Sequence, residues 1–174
     1  NGGSNTFTDI ATSALITSTA DHRGPAFGDY DGDGDLDLYV SVVSGNNLLY
    51  RNNGDNTFIE LAAGAGVDDA SNGFTTSWVD FDNDGDLDVA VSTGGVPNRL
   101  YRNDGGGTFN DIGGIGGGAS LAHFGMAWAD FDDDGDQDVY IKDHDSGGGF
   151  ANGQLFRNDG GGTFSDIASS ASVL

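Results

Sequence analysis

The chain has 174 residues, including 31 Gly, 2 Pro and no Cys, and it carries a formal net charge of −22. The length suits one domain, and the abundant Gly indicates tight turns between short extended segments. The negative charge disfavours nucleic acid and anionic lipid surfaces as partners, and the lack of Cys excludes a disulfide framework, a thiolate zinc site and a cysteine nucleophile. No segment approaches the roughly 18 apolar residues that cross a membrane, so we expect no membrane insertion.

The first element along the chain is the segment Thr-Phe-Thr-Asp-Ile at residues 6–10. Its Thr-Phe pair recurs at residues 57–58, 108–109 and 163–164, so the opening segment is an unpaired fourth copy of a repeated element. We expect residues 1–20 to supply an extra outer strand and a link, with the strand pairing across a junction between copies.

Three acidic loops of nine residues come next, and they begin at Asp29, Asp80 and Asp130. Each has Asp at positions 1, 3, 5, 7 and 9 and Gly at position 6, and the starts lie 51 and 50 residues apart (80 − 29 and 130 − 80). Each loop is followed by a Leu-Tyr/Phe-Arg-Asn motif, a Gly-rich turn and the Thr-Phe pair. Such a repeat governs the whole fold.

Within one repeat, extended segments are predicted at residues 74–79, 87–92, 99–102 and 108–112. The second segment of the first repeat has bulky side chains on both faces, which suits a sheet sandwiched between neighbours. A period of about 50 residues with four strands is typical of propeller blades. We therefore predict an all-β fold, a β-propeller-type array of three four-stranded blades (residues 21–70, 71–119 and 120–174) that closes a ring only with further copies or blades; a right-handed solenoid is the competing architecture.

The segments between the repeats are rich in Gly and small residues. Residues 62–72 and 113–119 are interpreted as links from the outer strand of one blade to the inner strand of the next. The third repeat has about five extra residues, placed by the sequence between its second and third strands at residues 142–150.

The acidic loops have the spacing of a calcium site. Alternate side chains converge on one side of the turn, Gly at position 6 permits the reversal, and the carbonyl at position 7 adds an oxygen. The predicted ligands, with the position-7 residue using its carbonyl, are Asp29, Asp31, Asp33, Asp35 and Asp37; Asp80, Asp82, Asp84, Asp86 and Asp88; and Asp130, Asp132, Asp134, Asp136 and Asp138. We thus expect three Ca²⁺ per chain.

Other readings of these loops fit less well. An EF-hand needs a Glu at position 12 and flanking helices, whereas position 12 is Val40, Val91 or Ile141 and the flanks are predicted strands. Magnesium prefers fewer protein ligands, and zinc prefers His or Cys. Solvated acidic turns without an ion are the plain alternative, but clustered carboxylates repel one another unless a cation relieves them.

On these loops, the following strand and the Leu-Tyr-Arg-Asn and Gly-Thr-Phe elements, the chain resembles the FG-GAP and VCBS repeat family of calcium-binding propeller blades. The resemblance implies calcium loops between the first and second strands of a blade, in rings of six to eight blades. Three blades cannot close such a ring. A fragment of a longer array, a small closed variant and an oligomer are the alternatives, and we favour a homodimer that completes six blades.

Several other residues recur at matching positions. We expect Arg51, Arg102 and Arg157 to pair with carboxylates or carbonyls between blades. Phe27, Trp78 and Trp128 align just before the loops and are interpreted as core aromatic residues, with sugar stacking as the alternative. The remaining candidates for a polar site are His22, His123, Asp143, His144 and Asp145.

The last group contains no nucleophile with a positioned base, so the sequence favours a non-catalytic module. We expect calcium-stiffened blades that serve recognition of a protein or glycan, or assembly, in an extracellular or cell-surface protein, because calcium near millimolar fills loops of modest affinity. A lectin-like propeller and part of a polysaccharide lyase or hydrolase are the alternatives.

Overall fold

The computed structural model describes residues 7–94, 97–116, 121–145 and 153–167. Within these ranges, the chain forms three antiparallel sheets of four strands, each with its strands in chain order. Blade 1 consists of β1 (His22–Gly28), β2 (Asp37–Val42), β3 (Leu48–Asn52) and β4 (Phe58–Glu60); blade 2 of β5 (Gly73–Val79), β6 (Asp88–Thr93), β7 (Arg99–Asn103) and β8 (Phe109–Gly113); blade 3 of β9 (Leu121–Ala129), β10 (Asp138–Asp145), β11 (Gln154–Asn158) and β12 (Phe164–Asp166). The prediction of three four-stranded blades is confirmed, and the three sheets do not close a ring.

The second strand of a blade is covered on both faces. Every residue of β2 and of β6 is buried, although each strand alternates its side chains between two sides of its sheet. This burial confirms the expectation from the sequence, because a strand with bulk on both faces needs a neighbouring layer on each side.

The blades pack face to face in chain order. One apolar core lies between blades 1 and 2 and includes Tyr39 and Tyr101; a second lies between blades 2 and 3 and includes Phe81 and Phe156. The first strands approach closely: a Cβ at Gly28 would lie 2.6 Å from Cδ1 of Trp78. Side-by-side first strands place the acidic loops, which follow them, along one edge of the array.

The opening segment forms no strand in the described part of this chain, and its predicted pairing with another copy stays a prediction. Residues 7–10 are not in a strand, and residues 11–15 form a turn. Each blade already holds a fourth strand from its own repeat, so the opening copy of that element has no sheet to join within the chain. The segment instead packs on blade 1, where Ala14 is 2% exposed and Ile16 contacts the cluster around Leu38, Val40 and Tyr50.

The links and the third repeat also show features that the sequence did not predict. A four-residue helix, α1 (Ala62–Ala65), lies in the first link and ends at Gly66, whose φ is 81°. The predicted loop insertion is partly strand, because β10 continues to Asp145 and pairs with β9 over its whole length. Residues 146–150 of the predicted insertion lie outside the described residues. Among the described residues, no helix is long and apolar enough to span a membrane.

Candidate metal centres

The three acidic loops connect the first strand of each blade to the second and share one backbone shape. Gly at position 6 has a positive φ in every loop, as predicted: Gly34 92°, Gly85 96° and Gly135 98°. Position 4 is also left-handed, a requirement that the sequence analysis missed: Gly32 71°, Asn83 61° and Asp133 61°. Gly, Asn and Asp are the residue types that adopt this conformation most readily, and their occurrence at position 4 was the available signal.

The carboxylate at position 1 closes each turn with one oxygen. The backbone N–H of the position-6 Gly donates to Oδ2 of Asp29 at 3.0 Å, of Asp80 at 3.1 Å and of Asp130 at 3.0 Å. In the first two loops the other oxygen, Oδ1, is buried and has no hydrogen-bond partner. A buried unpaired carboxylate oxygen carries a large desolvation cost, which a bound cation would offset.

The loops bring three carboxylates together in each blade. In the first loop the grouped residues are those at positions 1, 3 and 5; in the second and third loops they are those at positions 1, 3 and 9. One oxygen from each residue of a group lies within 4.8 Å of the others: Asp29, Asp31 and Asp33; Asp80, Asp82 and Asp88; Asp130, Asp132 and Asp138. The first group is the more exposed, since it lacks the buried position-9 residue.

The remaining predicted ligands lie outside these groups. At position 5, Asp84 Oδ1 accepts the backbone N–H of Asp86 at 2.9 Å, and Asp134 Oδ1 accepts that of Asp136 at 2.9 Å. The position-7 carboxylates face the Gly-rich turn between the third and fourth strands. In the first blade the approach is close: a Cβ atom added at Gly54 would lie 2.8 Å from Asp35 Oδ2. Ligation through their carbonyls stays a prediction.

The Asp at position 9 is buried and joins the loop to the third strand of its blade. Asp88 accepts the N–H of Phe81 at 3.0 Å on Oδ2 and the N–H of Asn103 at 2.8 Å on Oδ1. Asp37 and Asp138 accept the equivalent pairs of amides. Position 9 therefore has a structural role that the sequence analysis did not assign, in addition to its predicted role as a ligand.

Burial changes the electrostatics of these carboxyl groups. Desolvation raises the pKa of Asp37 from 3.8 to about 6 and that of Asp88 to about 7, although two backbone N–H groups oppose the shift in each case. Desolvation, followed by the charge of Asp84, also raises the pKa of Asp82. The loops thus hold charge that the fold alone stabilises poorly.

In blades 2 and 3, the Asn of the Leu-Tyr/Phe-Arg-Asn motif links two blades, a role that the sequence analysis missed. Asn103 donates from Nδ2 to the carbonyl of Tyr30 in the preceding blade at 2.8 Å, and Asn158 donates likewise to that of Phe81 at 2.7 Å. Both Asn residues are 0% exposed. Each side chain therefore ties the start of one blade's Gly-rich turn to position 2 of the preceding acidic loop.

A second link joins two loops directly. Asn83, at position 4 of the second loop, donates from Nδ2 to Oδ1 of Asp136 at 2.7 Å and lies 3.2 Å from the carbonyl of Gly135. Position 4 of the first loop is Gly32, which has no side chain to make this contact. The second and third loops are therefore connected in a way that the first and second are not.

Two of the three repeated Arg residues form ion pairs within their own blades. Arg102 Nε donates to Asp104 at 2.7 Å and Arg157 Nε donates to Asp159 at 2.7 Å, two residues further along the same chain. The expectation of pairs between blades is wrong for these two residues. Arg51 has Asn53 at the corresponding position, so the first repeat lacks that carboxylate.

The aligned aromatic residues divide into two kinds. Trp78 packs between blades 1 and 2, and Trp128 packs against the second core. Phe27, predicted to be in the core, is 62% exposed. That prediction is wrong because the face that carries Phe27 has no blade beside it in this chain.

The polar residues considered for a separate site lie on first and second strands. His22 begins β1 and places Nε2 3.0 Å from Ser18 Oγ. In blade 3, β9 and β10 pair Asp143 with His123 and His144 with Ala122. Residues 143–145 are thus strand residues, not part of the expected loop.

The donor set of the acidic loops fits a hard divalent cation. All grouped donors are carboxylate oxygens, several are buried without a hydrogen-bond partner, and the loop contains neither His nor Cys. Calcium takes six to eight oxygen ligands in flexible geometry, and such a loop can supply them from side chains and carbonyls.

Comparisons with known proteins agree with this architecture. Residues 1–40, 39–91 and 80–141 match the FG-GAP-like repeat. Over 94 residues, the chain is 34% identical to human Cartilage acidic protein 1, 33% to the mouse protein and 30% to the Xenopus tropicalis protein. The matched part covers 53% of this chain and 14%, 15% and 14% of these relatives, so the chain spans only a small share of their length.

The fold and the loops together define a tandem array of propeller-like blades with an acidic turn in each. Because the repeat matches cover most of the chain, the protein belongs to the FG-GAP-like repeat family. The matched unit 39–91 runs from β2 of one blade to β6 of the next, so the sequence repeat straddles two sheets.

Proposed function

We propose that this protein is a non-catalytic calcium-binding module whose three acidic loops each hold one Ca²⁺. The observation that carries the proposal is the set of buried carboxylate oxygens without hydrogen-bond partners, Oδ1 of Asp29, Asp80 and Asp82. Each belongs to a group of three carboxylates that could contact one ion. The same three loops lie within the residues that match FG-GAP-like repeats, which supports the proposal.

The bound ion would supply positive charge at the point where the chain reverses between the first two strands. The residues around it already hold the loop in shape: the position-1 carboxylate binds the position-6 amide, and the position-9 carboxylate binds the third strand. Binding therefore favours the folded chain, because the unfolded chain does not assemble these oxygens.

We further propose that the stiffened blades serve assembly or recognition of a protein or glycan outside the cell. Calcium near millimolar is found in extracellular fluids, where loops of modest affinity are filled. The similarity to proteins named Cartilage acidic protein 1 supports this setting.

Native mass spectrometry and thermal unfolding test the calcium proposal. We expect three ions per chain and a large fall in melting temperature in EDTA, since each site at 100 times its Kd stabilises the fold by about 2.7 kcal/mol. Asp80→Asn, which weakens the second site, should retain two ions. Asp21→Asn, which breaks only an exposed pair with Arg23, is the matched control and should retain three. An unchanged melting temperature in EDTA would contradict the proposal.

A further inference from the structure

At each junction between blades, a series of hydrogen bonds runs from position 9 of one acidic loop to position 2 of the loop before it. In blade 2, the backbone N–H of Asn103 donates to Oδ1 of Asp88 at 2.8 Å, and Nδ2 of the same residue donates to the carbonyl of Tyr30 at 2.8 Å. The equivalent distances in blade 3 are 2.8 and 2.7 Å, and the residues there are Asp138, Asn158 and Phe81. One Asn per junction therefore connects two acidic loops.

The two series meet in the second loop, so they connect all three loops. Phe81 accepts the last bond of one series on its carbonyl, and its N–H donates at 3.0 Å to Oδ2 of Asp88, the first residue of the other series. All six residues of the two series are at most 4% exposed. Because solvent does not reach these residues, a displacement that breaks one bond leaves a buried polar group without a partner, which is costly.

Both ends of each series contact candidate calcium ligands. Asp88 and Asp138 belong to the carboxylate groups of the second and third loops. Position 2 lies between positions 1 and 3, which belong to the group in every loop. In the second loop these neighbours are Asp80 and Asp82, whose Oδ1 atoms are buried without a hydrogen-bond partner. The Asn thus fixes the backbone between two ligands of one loop, while its own N–H contacts a ligand of the next loop.

We propose that neighbouring loops bind calcium cooperatively and that Asn103 and Asn158 are the positioning residues that couple them. The inference rests on the calcium binding proposed above. Asp88, once it ligates an ion in the second loop, restricts Asn103, and Asn103 restricts the backbone of Tyr30 between two ligands of the first loop. Binding at the first loop then has a smaller ordering cost, and an occupied first loop favours binding at the second to the same extent.

The second and third loops have an additional contact. Nδ2 of Asn83, at position 4 of the second loop, donates to Oδ1 of Asp136 at 2.7 Å. Asp136 is the position-7 residue of the third loop, whose carbonyl is a predicted ligand. Gly32 occupies position 4 of the first loop and has no side chain for such a bond. We therefore expect the coupling between the second and third loops to be the stronger of the two.

Asn52 provides a matched control, because it makes the same bonds within its own blade. Its Nδ2 donates to the Leu36 carbonyl at 3.2 Å and its Oδ1 accepts the N–H of Gly54 at 3.1 Å, and the equivalent distances for Asn103 are 3.2 and 3.0 Å. In the described part of the chain, Asn52 has no bond to another acidic loop. Asn52→Ala therefore removes the same bonds within a blade as Asn103→Ala and leaves both connections between loops in place.

Native mass spectrometry of the chain at increasing free calcium tests the coupling, because it counts the ions on each chain. When half of all sites are filled, three independent sites of any affinity leave at least about three quarters of the chains with one or two ions, whereas a coupling of about tenfold per junction leaves less than about half. We expect the second result for the wild type. Asn103→Ala and Asn158→Ala should each raise the share of partly filled chains, and Asn52→Ala should not.

The wild-type distribution is decisive without any variant, since a partly filled share of about three quarters or more would overturn the coupling. Equal shares for the wild type, Asn103→Ala and Asn158→Ala would overturn the assignment of these residues. The same spectra separate this result from the calcium proposal. Three ions per chain with the distribution of independent sites would refute only the coupling, whereas chains without any ion would refute calcium binding itself.

Discussion

Trp78 and Phe27 occupy the same position in consecutive repeats but have different surroundings. The indole N–H of Trp78 donates to the Ala26 carbonyl of blade 1 at 3.1 Å, and its ring stacks on Tyr30 with centroids 6.2 Å apart and planes inclined by 6°. Phe27 lies on the open side of blade 1 and is 62% exposed. Within the described parts of the chain, blade 2 has a neighbouring blade on each side, whereas blade 1 has one on one side only.

This difference shows how the molecule divides its stabilising interactions. The loop turns and strand pairs of a blade form from its own repeat, so they are the same in the middle and at the ends. Burial of the large aromatic side chains depends on the next blade, as expected of repeat proteins whose stability comes largely from interfaces between neighbours. Changes at matching positions of blades 1 and 2 should therefore have unequal effects.

The largest expected difference concerns pH in the calcium-free protein. Because the folded-state pKa of Asp88 is raised to about 7, the folded chain keeps this proton where the unfolded chain, with a pKa of 3.8, has lost it. The free energy of unfolding should therefore fall as the pH rises from about 4 to 7, by on the order of 4 kcal/mol for Asp88. For Asp37 the fall should end near pH 6.

Urea unfolding across this range in EDTA measures the effect. Asp88→Asn should remove the slope between pH 6 and 7, whereas Asp37→Asn should leave that part of the slope in place. In calcium the slope should reverse, because the ion binds the deprotonated carboxylates. A flat profile in EDTA would show that burial does not raise the pKa of these groups.

Truncation of the aligned aromatic residues should have the next largest effect. Trp78→Ala removes a ring packed between two blades and should lower the free energy of unfolding by about 3 kcal/mol. Phe27→Ala should lower it by less than about 0.5 kcal/mol, because this ring is 62% exposed. Equal effects of the two substitutions in calcium would contradict the distinction between covered and open faces.

Replacement of the motif Asn should also cost more stability in blade 2 than in blade 1, but the difference in the free energy of unfolding should be smaller than for the aromatic residues. Asn103→Ala leaves the Tyr30 carbonyl and the turn without their partner and should cost about 2 kcal/mol. Asn52→Ala should cost about 1 kcal/mol or less, because only bonds within its own blade are lost. Denaturant unfolding in calcium measures both, and a larger cost at Asn52 would refute the assignment of Asn103 as the link between blades.

The smallest expected effect concerns the contact between the second and third loops. Asn83→Gly copies the first loop, removes the bond to Asp136 and should weaken calcium binding at the third loop by about fivefold, the equivalent of about 1 kcal/mol. Gly32→Asn is the reverse change. It should create the equivalent side-chain contact between the first and second loops. Calcium titrations followed by native mass spectrometry would reveal both, and identical binding curves for wild type and Asn83→Gly would exclude the coupling.

The sequence predicted the loops and strands accurately because both depend on short-range chemistry. Alternate Asp residues with Gly at position 6 predicted the turns of Asp29 and Asp80, and the bulk on both faces of β2 predicted a sandwiched sheet. The opening segment has the residues of a fourth-strand element, yet residues 7–10 are not in a strand here, because each blade already has its own fourth strand. Its pairing with another copy stays a prediction. The pairing of Arg102 with Asp104 could have been predicted, because the two residues are nearly adjacent in the sequence. The repeat pattern was instead interpreted as favouring contacts between blades.

By itself, the sequence determined three blades, three acidic turns with a left-handed Gly at position 6, and a second strand covered on both faces, because these features follow from backbone sterics and alternation along the chain. Only the tertiary structure decided which equivalent residues are covered. The Asn of the motif in blades 2 and 3 proved to donate to the preceding blade, and Phe27 proved to be exposed. These outcomes depend on which side of a blade has a neighbour, a property of the array that no single repeat contains.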